Sequence, residues 1–209
     1  MMQRERVRRG YLGLFLVAVL GVLSACGNPG GEGCGGIDDI VSCLSITSIQ
    51  PTATVGGDSS DVDVVFNTDC DPLAAGSQPE PFTAHDARVT FANNAFPTAS
   101  TTTTLAITIQ RVSVSYTLNN CPAGAACPPL PGFTQETSLL VPAGGTATGT
   151  FPLVPLSTKQ AFVDQGGSAR AFPAYSANYT FTAETPFFQD TITLNGSVAV
   201  TLGAFDLCP

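Results

Sequence analysis

His85 is the only histidine in the 209-residue chain and stands in the sequence FTAHDARV. A serine, histidine and acid triad would have to use it as the base that takes a proton from the nucleophile. The chain contains no G-x-S-x-G motif, which places a nucleophilic serine on a sharp turn in many hydrolases. A single histidine at the entrance of a predicted strand is typical of a surface residue. The sequence therefore predicts no catalytic residues and no enzymatic activity.

Several aspartates between residues 58 and 71 are the second candidate for chemistry. Calcium is held by carboxylate and carbonyl oxygens, and an EF-hand loop also needs a glycine and a terminal glutamate at fixed positions, which this segment lacks. Asp61 and Asp63 alternate with Val62 and Val64, so we expect these two carboxylates on the solvent face of a strand. We therefore expect no metal. The calcium alternative would use Asp58, Asp61, Asp63, Asp69 and Asp71.

The chain has seven cysteines, and all but one of them follow Cys26. An even number of cysteines in an exported chain indicates disulfides formed in an oxidising compartment. Closeness in sequence suggests the pairs Cys34–Cys43 and Cys121–Cys127, which leaves Cys70–Cys208, while other connectivities stay open. Zinc is the rival explanation, but there is no C-x-x-C pair and His85 stands apart from every cysteine. We therefore expect disulfides and no cofactor.

A basic segment and an uncharged apolar segment open the chain. Met1–Gly10 contains four arginines and one glutamate, and Tyr11–Leu23 is a run of thirteen residues without a charge. A helix needs about 20 apolar residues to cross the hydrocarbon core of a bilayer, so this run is too short to span it. A basic start followed by an apolar run of this length is typical of a signal peptide. Residues 1–25 are therefore expected to be cleaved and to lie outside the fold.

The sequence Leu23-Ser24-Ala25-Cys26 at the end of this run resembles the lipobox of bacterial lipoproteins. The resemblance implies that Cys26 receives a diacylglycerol and becomes the first residue of the mature chain. Two or three acyl chains would hold the protein firmly at a membrane without a transmembrane helix. Gly27 stands where such proteins carry aspartate when they are kept at the inner membrane, so the resemblance favours the outer membrane.

Removal of the leader would change the charge of the chain. The mature chain would keep fifteen acidic residues and four basic ones, a net charge of −11; the basic residues are Arg88, Arg111, Lys159 and Arg170. Nucleic acid is then excluded as a partner, because phosphate binding needs clustered lysine and arginine. An anionic lipid surface would repel this chain, which leaves attachment to the lipid anchor.

Residues 26–36 are rich in glycine and predict a flexible tether, and residues 37–209 are long enough for one domain with a single core. Most stretches of this domain have a period of two, which predicts half-buried strands. A further strand is predicted at LSITSI, and SLLVPAGGTATGTF predicts a hairpin that turns at Gly144-Gly145. The residues predicted on buried faces are Val62, Val64, Phe66, Val89, Phe91, Tyr179, Phe181 and Ala183.

Two longer apolar runs carry more information. In LAITIQRVSVSYTL the apolar positions change parity near Gln110 and Arg111, which predicts either a bulge or a bend that moves the strand to another sheet. In ITLNGSVAVTL a two-residue hairpin at Asn195-Gly196 would turn Val198 and Val200 to the wrong face, so we predict one long strand with Gly196 as a flaw or bulge.

STKQAFVDQ is the only predicted helix, with Ser157 as its N-cap and Gln160 completing a weak capping box. Short strands separated by glycine, proline and asparagine clusters predict an all-β fold. The expected architecture is an immunoglobulin-like antiparallel β-sandwich of about seven to nine strands.

These observations predict a lipid-anchored envelope protein that acts as a non-enzymatic interaction or structural module. Its partners would be the membrane, through the lipid on Cys26, and another envelope protein that contacts a loop, a face or an edge strand. The alternative is a protein that binds a small ligand or a carbohydrate, with or without calcium. Phe187-Phe188 is the aromatic pair that would serve the alternative function.

Overall fold

The computed structural model describes residues 42–52, 60–65, 82–95, 105–185 and 191–205. These residues form eight strands, an α-helix (α1, Leu156–Asp164) and a short 3-10 helix (Ala169–Ala171). The strands are β1 Ser42–Thr52, β2 Asp61–Asp63, β3 His85–Ala95, β4 Ile107–Asn120, β5 Phe133–Val141, β6 Thr146–Val154, β7 Ala174–Glu184 and β8 Thr191–Gly203.

The strands form two sheets that share one hydrophobic core. The three-stranded sheet has the order β1-β3-β6, and the five-stranded sheet has the order β2-β8-β7-β4-β5. The neighbouring strands are antiparallel except for β2, which runs parallel to β8. The predicted all-β sandwich is therefore confirmed, with β1 and β6 at the edges of one sheet and β2 and β5 at the edges of the other.

Aromatic rings from both sheets form the centre of the core. The ring of Phe181 in β7 lies 5.0 Å from that of Phe91 and 5.1 Å from that of Phe151, both in edge-to-face geometry, and stacks on Tyr179. Such pairs contribute about 0.5–1.5 kcal/mol beyond their burial. The predicted buried residues Val62, Val64, Val89, Phe91, Tyr179, Phe181 and Ala183 are all buried, and Phe66 lies outside the described residues.

The buried positions of β4 change from odd to even residue numbers at a β-bulge, which confirms the first of the two predicted explanations. The register with both β5 and β7 shifts between Ile109 and Arg111. Ile109 and Val112 are both buried, so the bulge returns the apolar residues to the core face. β4 pairs with the same two neighbours on both sides of Gln110, and the alternative of a move to another sheet is wrong.

β8 is one continuous strand, as predicted, and its register with β7 runs through Gly196 without a shift. Gly196 is therefore not a bulge. A Cβ at this position would lie 2.6 Å from Cδ1 of Ile49 in the opposite sheet. The glycine is needed because the two sheets approach closely at this point.

The turn predicted at Gly144-Gly145 exists, but β5 and β6 do not pair with each other. β5 belongs to the five-stranded sheet and β6 to the three-stranded one, so the predicted hairpin is wrong. The chain crosses between the sheets through Pro142–Gly145, which we call the arch. Gly144 has φ 63°, a conformation that glycine adopts without steric cost, and Gly145 N donates to Pro142 O over 3.1 Å.

The predicted helix exists, but its N-cap is Pro155 and not Ser157. Pro155 has φ −67° and ψ 160°, and its carbonyl accepts from the main-chain nitrogens of Thr158 and Lys159. Proline fixes the backbone at the helix start, which moves the first turn two residues earlier. Gln160 does not form a capping box; its amide donates to Asp164 over 2.7 Å.

The sandwich has two unlike ends. β4, β6 and β8 finish at the helix end, where α1, the 3-10 helix and the Cys121–Gly132 connection lie. β3, β5 and β7 finish at the arch end, where the arch lies and where Ser42 pairs with Ala95. The chain therefore enters β1 at the arch end.

Candidate functional site

His85, Asp61, Asp63, Cys121 and Cys127 lie at the helix end, whereas Cys43 pairs with Asn94 at the arch end. His85 is the first residue of β3 and is 3% exposed, so the predicted surface location is wrong. His85 has the same parity as Ala87, Val89 and Phe91, which all face the core. The alternation that identified this strand already placed the histidine on its inner face.

Two tyrosines hold the last residues of β6 near His85. Tyr179 Oη donates to Pro152 O over 2.9 Å, and Tyr116 Oη donates to Leu153 O over 2.6 Å. Burial raises the pKa of Tyr179 well above its ordinary value, and the nearby Tyr116 and Asp86 raise it further. Burial likewise raises the pKa of Tyr116, an effect that a hydrogen bond with Thr158 partly offsets. Both phenols therefore keep their protons and act as hydrogen-bond donors.

Asp86 follows His85 and is partly buried. Desolvation raises the pKa of its carboxyl group, and the charge of His85 lowers it. A third tyrosine acts on the Cys121–Gly132 connection, where Tyr175 Oη donates to Pro128 O over 2.8 Å. The polar groups of this region bind main-chain carbonyls and stabilise the connections that cover the helix end.

Lys159 is a buried residue of α1 that sequence reasoning missed. It is 4% exposed, and its Nζ lies 4.6 Å from the centre of the Phe82 ring, a cation–π contact. Thr158 and Phe162 are buried on the same helix. The spacing of Lys159 and Phe162 is that of one helix face, so the amphipathic pattern was the available signal, but a lysine is normally read as solvated.

The acidic candidates divide into one exposed and one buried residue. Asp61 is exposed, whereas Asp63 is 1% exposed, so the predicted solvent position of Asp63 is wrong. Oδ1 of Asp63 accepts from Val65 N over 3.2 Å and from Phe205 N over 3.1 Å. β2 is only three residues long, and Val65 and Phe205 lie beyond the ends of the paired strands β2 and β8. The Asp63 carboxylate therefore accepts the hydrogen bonds of these two main-chain nitrogens in place of a neighbouring strand.

The other acidic candidates, Asp58, Asp69 and Asp71, lie outside the described residues, as does the aromatic pair Phe187-Phe188. Within the described ranges there is no group of three or more histidine, cysteine, aspartate or glutamate side chains that could hold a metal ion.

Cys121 and Cys127, one of the predicted pairs, form a disulfide with a Cα–Cα distance of 5.9 Å. The loop between them is fixed to the segment after α1, because Ser168 N donates to Ala126 O and Ala126 N donates to Ser168 Oγ, both over 2.9 Å. Cys43 is also disulfide-bonded. Cys34, Cys70 and Cys208 lie outside the described residues, so Cys34–Cys43 and Cys70–Cys208 stay predictions, as does lipidation of Cys26.

The second candidate site is the side of the sandwich where β5 and β6 are edge strands. Among the described strands, β5 pairs only with β4 and β6 only with β3. The register of β6 with β3 is continuous over Thr146–Phe151, a stretch without a charged residue or a proline. β5 is less regular, since the bulge of β4 shifts its register, and it carries Glu136 in an exposed ion pair with Arg111 at 2.7 Å.

The core is only half covered along this side. Phe133, Leu139 and Ala147 are partly buried and pack against the core. Gln135 pairs with the buried Val112 and therefore shares its inner face, yet it is exposed. A Cβ on Gly149 would lie 2.8 Å from the Phe151 ring. The same Cβ would lie 3.0 Å from Cδ2 of Leu139, so the inner face of β6 packs against β5 at this point.

A shallow groove lies on the outer face of the five-stranded sheet. It has a volume of about 410 Å³, and its polar lining consists of uncharged side chains: Ser113, Ser115, Thr134, Asn178 and Thr180. Phe133 lines one side of the groove. These groups also bind one another, for example Ser113 to Thr134 over 2.9 Å. Such a surface offers hydroxyl and amide groups to a neutral ligand.

Comparisons with known proteins give no match: no protein-family model, curated protein or solved structure was found to be similar to this chain. In the part of the chain that the structure describes, no helix is both long enough and apolar enough to cross a membrane.

Proposed function

We propose that this chain is a lipid-anchored protein of the bacterial envelope whose β-sandwich binds another envelope protein without catalysis. Cys26 would carry the lipid, and the outer membrane is the proposed location. One observation carries the interaction role: Thr146–Phe151 of β6 is a regular edge strand without charge or proline. Such edges are ready to pair with another chain, and natural proteins usually protect them.

The opposite edge of the same sheet provides the comparison. β1 contains a register shift between Ile46 and Ser48, and it contains Pro51. A bulge and a proline both hinder pairing with a further strand. β6 also contains Pro152 and a register shift against β3, but both lie after Thr146–Phe151. The shift in β1 instead interrupts the middle of that strand. Among the described strands of this sheet, Thr146–Phe151 is therefore the longer regular edge, which supports binding at β6.

The partner that fits this edge is an extended protein segment. In an antiparallel strand, alternate residues direct their N–H and C=O groups away from the existing neighbour, so β6 offers main-chain hydrogen bonds to a fourth strand. Side chains on the inner face of that strand would cover Leu139 and Ala147, which are only partly buried. We therefore expect small apolar residues at alternate positions of the added strand.

The test is mild crosslinking on intact cells of the source organism, followed by purification in detergent and mass spectrometry. A protein partner in stoichiometric yield is expected with the unaltered chain. Thr148→Lys places a charge on the β6 edge and should reduce that yield about tenfold, since binding would desolvate the new charge. Thr193→Lys, on the exposed face of the interior strand β8, is the matched control and should retain the partner. An undiminished yield with Thr148→Lys, or no partner at all, would contradict the proposal.

Carbohydrate binding is the second candidate function, and the neutral groove beside Phe133 favours it. Sugars bind through hydroxyl and amide groups such as those that line this groove. Isothermal titration with neutral oligosaccharides should show heat of binding that Asn178→Ala removes and that Asn94→Ala, an exposed position in the other sheet, retains. No heat with any neutral glycan would leave the edge strand as the functional surface.

Two finer assignments belong to the same proposal. The immunoglobulin-like identity is supported by the two mainly antiparallel sheets of three and five strands. The signal peptide at residues 1–25 and the lipid on Cys26 are supported by the basic start, the uncharged run and the sequence Leu23-Ser24-Ala25-Cys26.

A further inference from the structure

The arch end carries an exposed surface without charge. Leu140 is 59% exposed, and Pro142, Ala143 and Gly144 are exposed beside it. No charged residue occurs from Leu139 to Thr150. We call Leu140 together with Pro142–Gly144 the arch tip. In a mature chain of net charge −11, such an uncharged apolar tip is a feature that needs an explanation.

Asn93 of β3 holds the arch tip in a fixed position. Its main-chain nitrogen donates to Gly145 O over 2.9 Å, and its Nδ2 donates to Leu105 O over 2.7 Å and to Pro142 O over 3.2 Å. Asn93 is fully buried. The arch tip is therefore rigidly attached to the central strand of the three-stranded sheet.

The chain that precedes the domain enters at this same end. Ser42 pairs with Ala95, two residues beyond Asn93, and β1 and β6 flank β3 on its two sides. Two interstrand spacings separate β1 from β6, a distance of about 10 Å. The start of the domain and the arch tip thus share one end of the sandwich.

The length of the preceding segment sets the distance to the proposed anchor. Sixteen positions separate Cys26 from Ser42, and a flexible chain of that length has a typical end-to-end distance of about 20 Å. A strand as long as β4 spans about 45 Å, so the helix end lies much farther from the anchor than the arch tip does. Such a segment keeps the arch tip at a high effective concentration beside the bilayer, and a weak contact then suffices.

We propose that the arch tip docks on the surface of the bilayer that holds the lipid of Cys26. This inference rests on the proposed lipid anchor. The occupant is a lipid surface because the tip is apolar and uncharged, and because the anchored segment enters beside it. Docking fixes the orientation of the domain: the arch end faces the bilayer, and the helix end points away from it.

The absence of tryptophan from the chain allows a direct test. Leu140→Trp and, as the matched control, Leu156→Trp each place one fluorophore at an exposed apolar site, at the arch end and the helix end respectively. The full-length proteins are expressed in a bacterium, and each purified protein is reconstituted in phosphatidylethanolamine and phosphatidylcholine vesicles with brominated acyl chains. Ala143→Trp provides a second reporter of the arch tip should Leu140→Trp fail to fold.

We expect the emission of Leu140→Trp to shift to shorter wavelength and to lose about half of its intensity in brominated vesicles, while Leu156→Trp keeps its emission. Mass spectrometry of the same samples measures the lipid on Cys26. A lipidated chain in which both reporters behave alike overturns the docking but not the anchor. A chain without lipid overturns the anchor and the docking together.

Discussion

The two ends of the sandwich are closed in opposite ways. At the helix end, the Cys121–Gly132 connection, α1 and the 3-10 helix cover the core and bring buried polar groups with them, including His85 and Lys159. At the arch end, the four residues of the arch cross between the sheets, as does the connection from β3 to β4, most of which lies outside the described residues. Among the described side chains, Asn93 binds several of the carbonyls near the arch. A long cover needs many hydrogen bonds to satisfy its main chain, whereas a short crossing needs few.

The two ends also differ in how many side chains share their hydrogen bonds. The helix end spreads its hydrogen bonds over Tyr116, Tyr175 and Tyr179, so the loss of one leaves the others in place. Among the residues that the structure describes, the arch end concentrates them on Asn93 and leaves Leu140 of the arch tip exposed. We therefore expect the arch end to be the more sensitive to a single substitution, and the predictions below test that expectation.

Asn93→Ala should have the largest effect. It removes the amide that binds Leu105 O, Val141 O and Pro142 O, and a buried polar group that loses its partner costs about 1–3 kcal/mol. We expect the free energy of unfolding to fall by about 3 kcal/mol in urea denaturation. Asn94→Ala is the control, since Asn94 is exposed, and should change stability little. A loss of stability smaller than that caused by Tyr179→Phe would contradict the comparison.

The double variant Cys121→Ser, Cys127→Ser should have the next largest effect. The disulfide closes a short loop, and its removal should cost about 2 kcal/mol through the entropy of the unfolded chain. The loss should be local to the helix end. Hydrogen exchange should become faster at the amides of Ala126 and Ser168 and stay unchanged at that of Gly145. Equal acceleration at both ends would show that the ends are not independent.

Tyr179→Phe should cost about 1 kcal/mol, because it removes one hydrogen bond to Pro152 O and keeps the ring in the core. Tyr116→Phe should have a similar effect through Leu153 O. Thermal and urea unfolding would measure both. If either change costs as much as Asn93→Ala, the hydrogen bonds of the helix end are not shared out as we infer.

The smallest effect concerns the dependence of stability on pH. The pKa values of Tyr116 and Tyr179 are raised in the folded protein, so the native state keeps protons that the unfolded state releases near pH 10. Stability should therefore be fully present below pH 10 and fall as the pH rises above it. In Tyr179→Phe this fall should be less steep. A fall of equal slope in both proteins would mean that Tyr179 has an ordinary pKa in the native state.

Alternation of apolar residues predicted the strands well, because one buried face imposes a period of two. The same rule located the bulge at Gln110 and showed that β8 is continuous. The rule also predicts that His85 is buried, because His85 alternates in step with the buried Val89 and Phe91. That inference failed because residue type was given more weight than position.

Other features depend on contacts between distant residues. A hairpin between β5 and β6 and a crossing between two sheets give the same sequence pattern around Gly144-Gly145. The contacts of Asn93, about fifty positions earlier, distinguish the arch from a hairpin. Asp63 is buried because its oxygen binds Phe205 N, at the far end of the chain. The edge position of β6 could not be predicted either, because periodicity within a strand does not determine the order of the strands in a sheet.

The position of β1 has a mechanical consequence. β1 is an edge strand that starts at the arch end, and ten residue pairs join it to β3. A pull on the segment before Ser42, opposed by a partner on β6, would act along the strands. The main-chain bonds between β1 and β3 would then bear the load together in shear, and would not open one after another like a zipper. A domain anchored in this way resists being drawn from its partner with the strength of a whole strand.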